Sequence, residues 1–230
     1  MKLTVAGIGP GDPELISISA LKEAENSDLI IVPRSHENEI GRAEKIILEN
    51  LQGKNKNKNI IHILFPMIKN PEKRNEIILS QIEGMRHQWE NAKKIFFPVI
   101  GDSMLFSTGT YLIDILKKIV PDIEVDFIPG ISAHSLAAAC AKKFLAASDE
   151  ILSIIPGTAQ PEKIINIIKN SDVAAIYKPT AIKNISEIIK DYKKIIRVDF
   201  AGIPEKEKIF EGEEALKNIN EYFSIIILWK

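Results

Sequence analysis

Leu3-Thr4-Val5-Ala6-Gly7-Ile8-Gly9-Pro10-Gly11-Asp12-Pro13 decides the fold: a short apolar run that breaks into a turn with three glycines and two prolines. Apolar character continues through the run rather than alternating, which reads as a strand buried on both faces. The same grammar recurs at Leu29–Val32, Ile60–Phe65, Ile95–Ile100 and Val125–Ile128, each bounded by Gly, Pro or polar residues. Between these runs lie amphipathic stretches at Ser17–Ser27, Gly41–Leu51, Glu72–Glu90 and Thr108–Val120. Strands separated by connections long enough for a helix pair in parallel, so the first half reads as a five-stranded parallel α/β sheet. After Pro129-Gly130 the pattern changes. A small-residue helix at Ala133–Ala141 precedes strands at Ile151–Ile155, Val173–Tyr177, Ile195–Ala201, Lys208–Phe210 and Ser224–Leu228. Helices are expected at Glu162–Lys169, Ile182–Lys190 and Glu213–Ile219. Short connections between the last strands favour a mixed sheet. The chain therefore reads as two α/β domains, residues 1–130 and 131–230, with a hinge near 129–133.

Composition narrows the function. The 230 residues are 45% hydrophobic and 27% charged, and 30 basic residues offset 31 acidic ones. A net charge of −1 excludes a strongly basic nucleic-acid arm and an acidic disordered tail. The single cysteine, Cys140, rules out an intramolecular disulfide framework and a cysteine-based metal cluster, as in a reducing, cytoplasmic protein. The N-terminal apolar run is too short to span a membrane, and no targeting segment is expected. The stretch 53–59, Gly-Lys-Asn-Lys-Asn-Lys-Asn, reads as a solvated loop.

Three turns fall at strand carboxyl ends, the edge on which open α/β sheets bind ligands. The first, Gly7–Pro13, is not a dinucleotide fingerprint. Asp12 stands where the last glycine of GxGxxG is required, and the second strand runs into Val32-Pro33-Arg34 instead of an acidic ribose clamp. The second turn is Gly101-Asp102-Ser103-Met104-Leu105-Phe106-Ser107-Thr108. There Asp102 offers a hydrogen-bond acceptor to a ligand, and Ser107 or Thr108 either touches ligand or caps the next helix. The third is Pro129-Gly130-Ile131-Ser132. His36, His62, His87 and His134 are scattered, none at metal-ligand spacing, and read as surface or packing residues. His36 and His134 stand apart because each lies just after a strand that ends on the ligand edge.

This trio of turns resembles the tetrapyrrole methylases, which transfer methyl groups from S-adenosylmethionine. Within them the sequence is most similar to the precorrin-2 / cobalt-factor II C-20-methyltransferases of cobalamin biosynthesis. Supporting stretches are Val32-Pro33-Arg34-Ser35, Phe65-Pro66-Met67, Ser103–Leu112 and Tyr222-Phe223-Ser224-Ile225-Ile226-Ile227. The resemblance implies two α/β domains with the cofactor between them, a tetrapyrrole substrate and a homodimer. By matching motifs it implies a cofactor site drawn from Pro10, Gly101, Asp102, Leu105, Ser107, Thr108 and Ser132, with Tyr177, Lys178, Ala201, Gly202, Ser224 and Ile225 of the second domain. Two positions depart from the family: Ser103 stands where proline is common, and Phe106 where tyrosine is. A sibling methylase acting at another ring carbon, and a non-catalytic nucleotide- or tetrapyrrole-binding protein of the same fold, are the alternative readings.

A tetrapyrrole bearing acetate and propionate chains calls for basic groups around it. Only five of the basic residues are arginines, and Arg34, leaving the second strand with Ser35 and His36, is the expected carboxylate clamp. Arg42, Arg74 and Lys178 come next, the first two reading otherwise as helix-surface charge. No metal centre is expected and no side chain presents itself as a catalytic base.

Overall fold

The structure, a computed structural model, describes residues 1–36, 39–52, 58–68, 70–182 and 192–230. The chain divides into two compact units, Met1–Ser132 and Ala133–Lys230.

The first unit is built on β1 (Lys2–Gly7), β2 (Leu29–Arg34), β3 (Asn59–Leu64), β4 (Lys94–Val99) and β5 (Glu124–Ile128). All pair in parallel, in the order β3-β2-β4-β1-β5, with Gly7 opposite Val99 and Ala6 opposite Ile128. Side chains alternate between two cores. Leu3, Val5, Ile31, Ile63 and Phe97 face α3 (Pro71–Gly84), α4 (Arg86–Trp89) and α5 (Gly109–Ile119). Ala6, Ile30, Val32 and Phe96 face α1 (Ile18–Asn26) and α2 (Arg42–Leu51). Burial on both faces is why β1, β2 and β4 are nearly continuously apolar, whereas edge strand β5, largely exposed, carries Glu124 and Asp126. The helices start where the sequence caps them: Ser17 Oγ accepts from Ala20 N at 3.1 Å, and Asn70 Oδ1 accepts from Lys73 N at 3.0 Å ahead of Pro71. The expected single helix over Glu72–Glu90 is instead two, divided at Met85 (φ −101°, ψ 14°). Trp89 Nε1 donates to Ile82 O at 2.8 Å, so the chain folds back after Gly84 and buries the indole.

The second unit carries α6 (Ala133–Cys140), β6 (Leu152–Pro156), α7 (Pro161–Lys169), β7 (Val173–Tyr177), β8 (Lys194–Asp199), β9 (Lys208–Glu211) and β10 (Ser224–Trp229). Its sheet order is β6-β7-β10-β8-β9, parallel only between β6 and β7, so it is mixed as expected. The helix expected at 182–190 falls almost wholly outside the described residues, as do residues 53–57 of the lysine-asparagine loop. The helix expected at Glu213–Ile219 is a 3-10 turn at Gly212–Leu216. Arg197 donates through one terminal nitrogen to Ala215 O (3.2 Å) and Lys217 O (2.6 Å), so those carbonyls serve the guanidinium rather than an α-helical ladder. No helix among the described residues is long and apolar enough to cross a membrane.

Candidate functional site

In the first unit the three glycine turns close on one another. Gly9 and Gly101 form an antiparallel bridge, with Gly101 N–H donating to Gly9 O at 2.9 Å and Gly9 N–H to Gly101 O at 3.3 Å. Gly101 has φ +77°, a conformation glycine adopts without penalty. A Cβ on Gly130 would sit 2.2 Å from Gly101 O and 2.7 Å from Gly7 C, so the three backbones meet with no room for a side chain.

Side chains stitch the second turn to the third. Asp102 Oδ1 accepts from Met104 N (3.0 Å) and Gly130 N (3.4 Å), and Oδ2 accepts from Ser132 Oγ (3.2 Å). The Asp102 carboxylate thus holds the second and third turns together. Ser103 Oγ donates to Ile128 O at 2.7 Å, a tie that proline at this position cannot make. Ser107 Oγ accepts from Gly109 N at 3.0 Å, the capping alternative, while Thr108 makes no side-chain cap bond. Phe106 is partly exposed and holds φ +51°, a left-handed conformation that is unusual for a bulky residue and concentrates at functional sites. Pro10, Gly101, Asp102, Leu105, Ser107, Thr108 and Ser132 are thus brought to one edge of the first sheet.

Arg34 ends β2 on the same edge, followed by exposed Ser35 and His36. Its guanidinium is already gripped: Nε and one terminal nitrogen donate to Glu44 at 2.9 and 2.8 Å. His62 Nε2 lies 2.8 Å from the other side of that carboxylate. The sequence reading left His62 as a surface or packing residue and passed over Glu44. The only signal was a glutamate on the buried face of α2. Burial pushes the Glu44 carboxyl up, but the hydrogen bonds and charges of Arg34 and His62 outweigh it, and the group ends below its ordinary value.

In the second unit the sheet register gathers the remaining candidates at one end. Ile225 pairs with Tyr177, and Ser224 with Asp199, just ahead of Ala201 and Gly202. Tyr177 OH accepts from His134 N at 3.3 Å and lies 2.7 Å from His134 Nδ1, so His134 is a packing residue anchored to the β7 end. Lys178 and Phe200, each directly after a strand, both hold φ +53°. Ser224 Oγ donates to buried Asp199, which also faces Arg197 Nε at 3.2 Å. Glu207, not foreseen, accepts from Gly202 N (2.8 Å) and Cys140 Sγ (3.2 Å) and fixes the 201–202 turn. Among the described residues no group of His, Cys, Asp and Glu is arranged to hold a metal ion.

Comparison with known proteins gives these two ends a context. Residues 2–216 match the family of Tetrapyrrole (Corrin/Porphyrin) Methylases. The chain is 31% identical to a probable cobalt-precorrin-2 C(20)-methyltransferase of Methanocaldococcus jannaschii, over 99% of this chain and 95% of that protein. It is 27% identical to the cobalt-precorrin-2 C(20)-methyltransferase of Salmonella typhimurium, covering 77% and 72% of the two chains. A cobalt-precorrin-4 C(11)-methyltransferase of M. jannaschii also matches, at 29% identity over 96% of this chain and 81% of the other. Among solved structures, a cobalt precorrin-4 methyltransferase superposes with TM-score 0.70 at 18% identity, covering 99% of this chain and 94% of that one. The uroporphyrin-III C-methyltransferase of Thermus thermophilus, complexed with S-adenosylhomocysteine, superposes with TM-score 0.65 at 16% identity, covering 100% and 98%. With a family match across nearly the whole chain and a full-length relative above 30% identity, this protein belongs to the tetrapyrrole (corrin/porphyrin) methylases.

Proposed function

We propose that the protein methylates precorrin-2, or its cobalt form, at C-20, using S-adenosylmethionine. The observation that carries this reading is the full-length similarity to the C(20)-methyltransferase of M. jannaschii. The cobalt-precorrin-4 C(11)-methyltransferase, nearly as similar, supports methylation at another ring carbon as the second reading.

The turn cluster suits a cofactor bound by shape and backbone. Gly7, Gly101 and Gly130 present bare main chain, while the polar side chains of Asp102, Ser103 and Ser107 are spent on their own turns. S-adenosylmethionine, when bound, supplies a methyl group already activated on a sulfonium. The residues of this chain then have to orient and shield. Pro10, Gly101, Asp102, Leu105, Ser107, Thr108 and Ser132 would hold the cofactor from the first unit, and Tyr177, Lys178, Ala201, Gly202, Ser224 and Ile225 from the second. Positioning of this kind contributes effective molarities of about 10⁵–10⁸ M in well-oriented systems, so no side-chain nucleophile is required. A homodimer working in the cytoplasm completes the reading; sedimentation measures the first.

Labelled S-adenosylmethionine with precorrin-2 and its cobalt form, followed by NMR of the product, tests it. Label at C-20 is expected, label at another carbon selects the second reading, and no transfer to either substrate refutes both. Asp102→Ala is expected to weaken S-adenosylhomocysteine binding by loosening the turns. His62→Ala is expected to leave it unchanged, and equal losses overturn the placement.

A further inference from the structure

Three of the five arginines are committed to carboxylates: Arg34 to Glu44, Arg86 to Glu90 and Arg197 to Asp199. Arg74 is different. It enters no ion pair among the described residues. Its guanidinium carbon stands 3.8 Å from the centroid of the Tyr111 ring, which presents the planar group in one orientation. Its Nε is shut off from water yet makes no hydrogen bond, and Oδ1 of the neighbouring Asn75 is in the same condition. The polar demand of this turn exceeds what the chain itself meets. Buried polar atoms without partners are rare enough in native proteins to require an explanation.

Arg74 lies in the first turn of α3, which follows β3, and Tyr111 in the first turn of α5, which follows β4. In a parallel sheet the helix that follows a strand starts at that strand's carboxyl end, so both residues sit at the ligand edge. Tyr111 is three residues beyond Thr108, the last residue of the Gly101–Thr108 turn. Arg74 is half-buried as a residue, with its Nε on the buried side.

We propose that Arg74, held over the Tyr111 ring, is the residue that takes a carboxylate from the acetate or propionate chains of the tetrapyrrole, the role the sequence assigned to Arg34. Glu44 already occupies Arg34, whereas Arg74 has no carboxylate partner among the described residues. This assignment rests on the reading of the protein as acting on a carboxylated tetrapyrrole, and not on which carbon is methylated.

Equilibrium binding of uroporphyrin to the full chain, followed by quenching of the porphyrin's fluorescence, tests it alongside calorimetry with S-adenosylhomocysteine. Arg74→Ala should weaken uroporphyrin binding by about tenfold or more, as loss of a charge-assisted bidentate contact does, with S-adenosylhomocysteine affinity unmoved. Arg74→Lys should recover only part of the loss, because an ammonium lacks the fork. Tyr111→Leu should follow Arg74→Ala in direction, and Tyr111→Phe, which keeps the ring, should not. Coproporphyrin, with fewer carboxylates, should separate the variants less. Wild-type porphyrin affinity in Arg74→Ala, full recovery by lysine, or a parallel fall in S-adenosylhomocysteine affinity overturns the proposal. A wild-type protein that holds S-adenosylhomocysteine but no carboxylated porphyrin overturns it together with the tetrapyrrole reading. Methylation at a carbon other than C-20 removes the C-20 reading alone and leaves the Arg74 assignment supported by its own titration.

Discussion

Glu44→Ala is the perturbation whose cost the structure lets one work out. The Glu44 side chain is 8% exposed and accepts from Arg34, itself 19% exposed, and from His62 at 35%. Removing one partner of a fully buried pair costs about 3–5 kcal/mol, most of it the charge left behind. Arg34 keeps some contact with water, which recovers part of that, so about 2–3 kcal/mol is expected for Glu44→Ala. Glu44→Gln retains one acceptor and should cost about 1–2 kcal/mol. The carboxyl is held below its ordinary value of 4.5. Its contribution is therefore complete above that value and disappears as pH falls through the lower folded-state value, and the gap between wild type and Glu44→Gln should close over that interval. Urea unfolding followed by tryptophan fluorescence is the assay. Trp89 reports on the first unit, and Trp229→Phe removes the signal of the second. A loss under about 0.5 kcal/mol for Glu44→Ala, the range of an ordinary surface change, would refute the claim that this carboxylate anchors Arg34.

Gly130→Ala should cost about 3 kcal/mol or more and abolish S-adenosylhomocysteine binding, because its Cβ would be forced to 2.2 Å from Gly101 O. Gly84→Ala, whose Cβ would meet nothing within 4 Å, should leave binding intact and gain about 0.4–1 kcal/mol; paired calorimetry and thermal melts read both. The Cys140 thiol is pushed up to about 11 by burial and by the Glu207 carboxylate, so iodoacetamide at neutral pH should label it about a hundredfold more slowly than an ordinary cysteine. Glu207→Gln should speed that labelling, and rapid labelling of the folded wild type contradicts the assignment.

The central strands of the first unit were legible because burial on both faces writes itself as apolar runs, and the Gly-bearing turns because few other residues fit them. The roles of side chains within those turns were not. The Asp102 carboxylate accepts from Gly130 N and Ser132 Oγ, twenty-eight and thirty residues away, a link that no local pattern records. The engagement of Arg34 was hidden for a different reason: Glu44 lies ten residues away and His62 twenty-eight, on another helix and another strand. Arg74 ranked behind Arg34 as a carboxylate clamp and otherwise read as helix-surface charge, since its stacking partner Tyr111 comes from an element thirty-seven residues on. The Glu213–Ile219 stretch failed as a helix because a distant arginine competes for its carbonyls, which no local propensity records.

The place of β1 between β4 and β5 has a consequence for how the chain acquires its shape. The first strand to be synthesised cannot be paired on either side until residues 94–99 and then 124–128 exist. About ninety residues of ribosomal synthesis, at about 5–20 residues per second, therefore pass before the apolar run has its first neighbour, and about thirty more before it has the second. Strand pairing across such separations is slow because loop closure precedes the contacts that reward it. The Gly7 turn is the earliest part of the turn cluster to be made and among the last to be completed, because that cluster closes only after Gly130 has emerged.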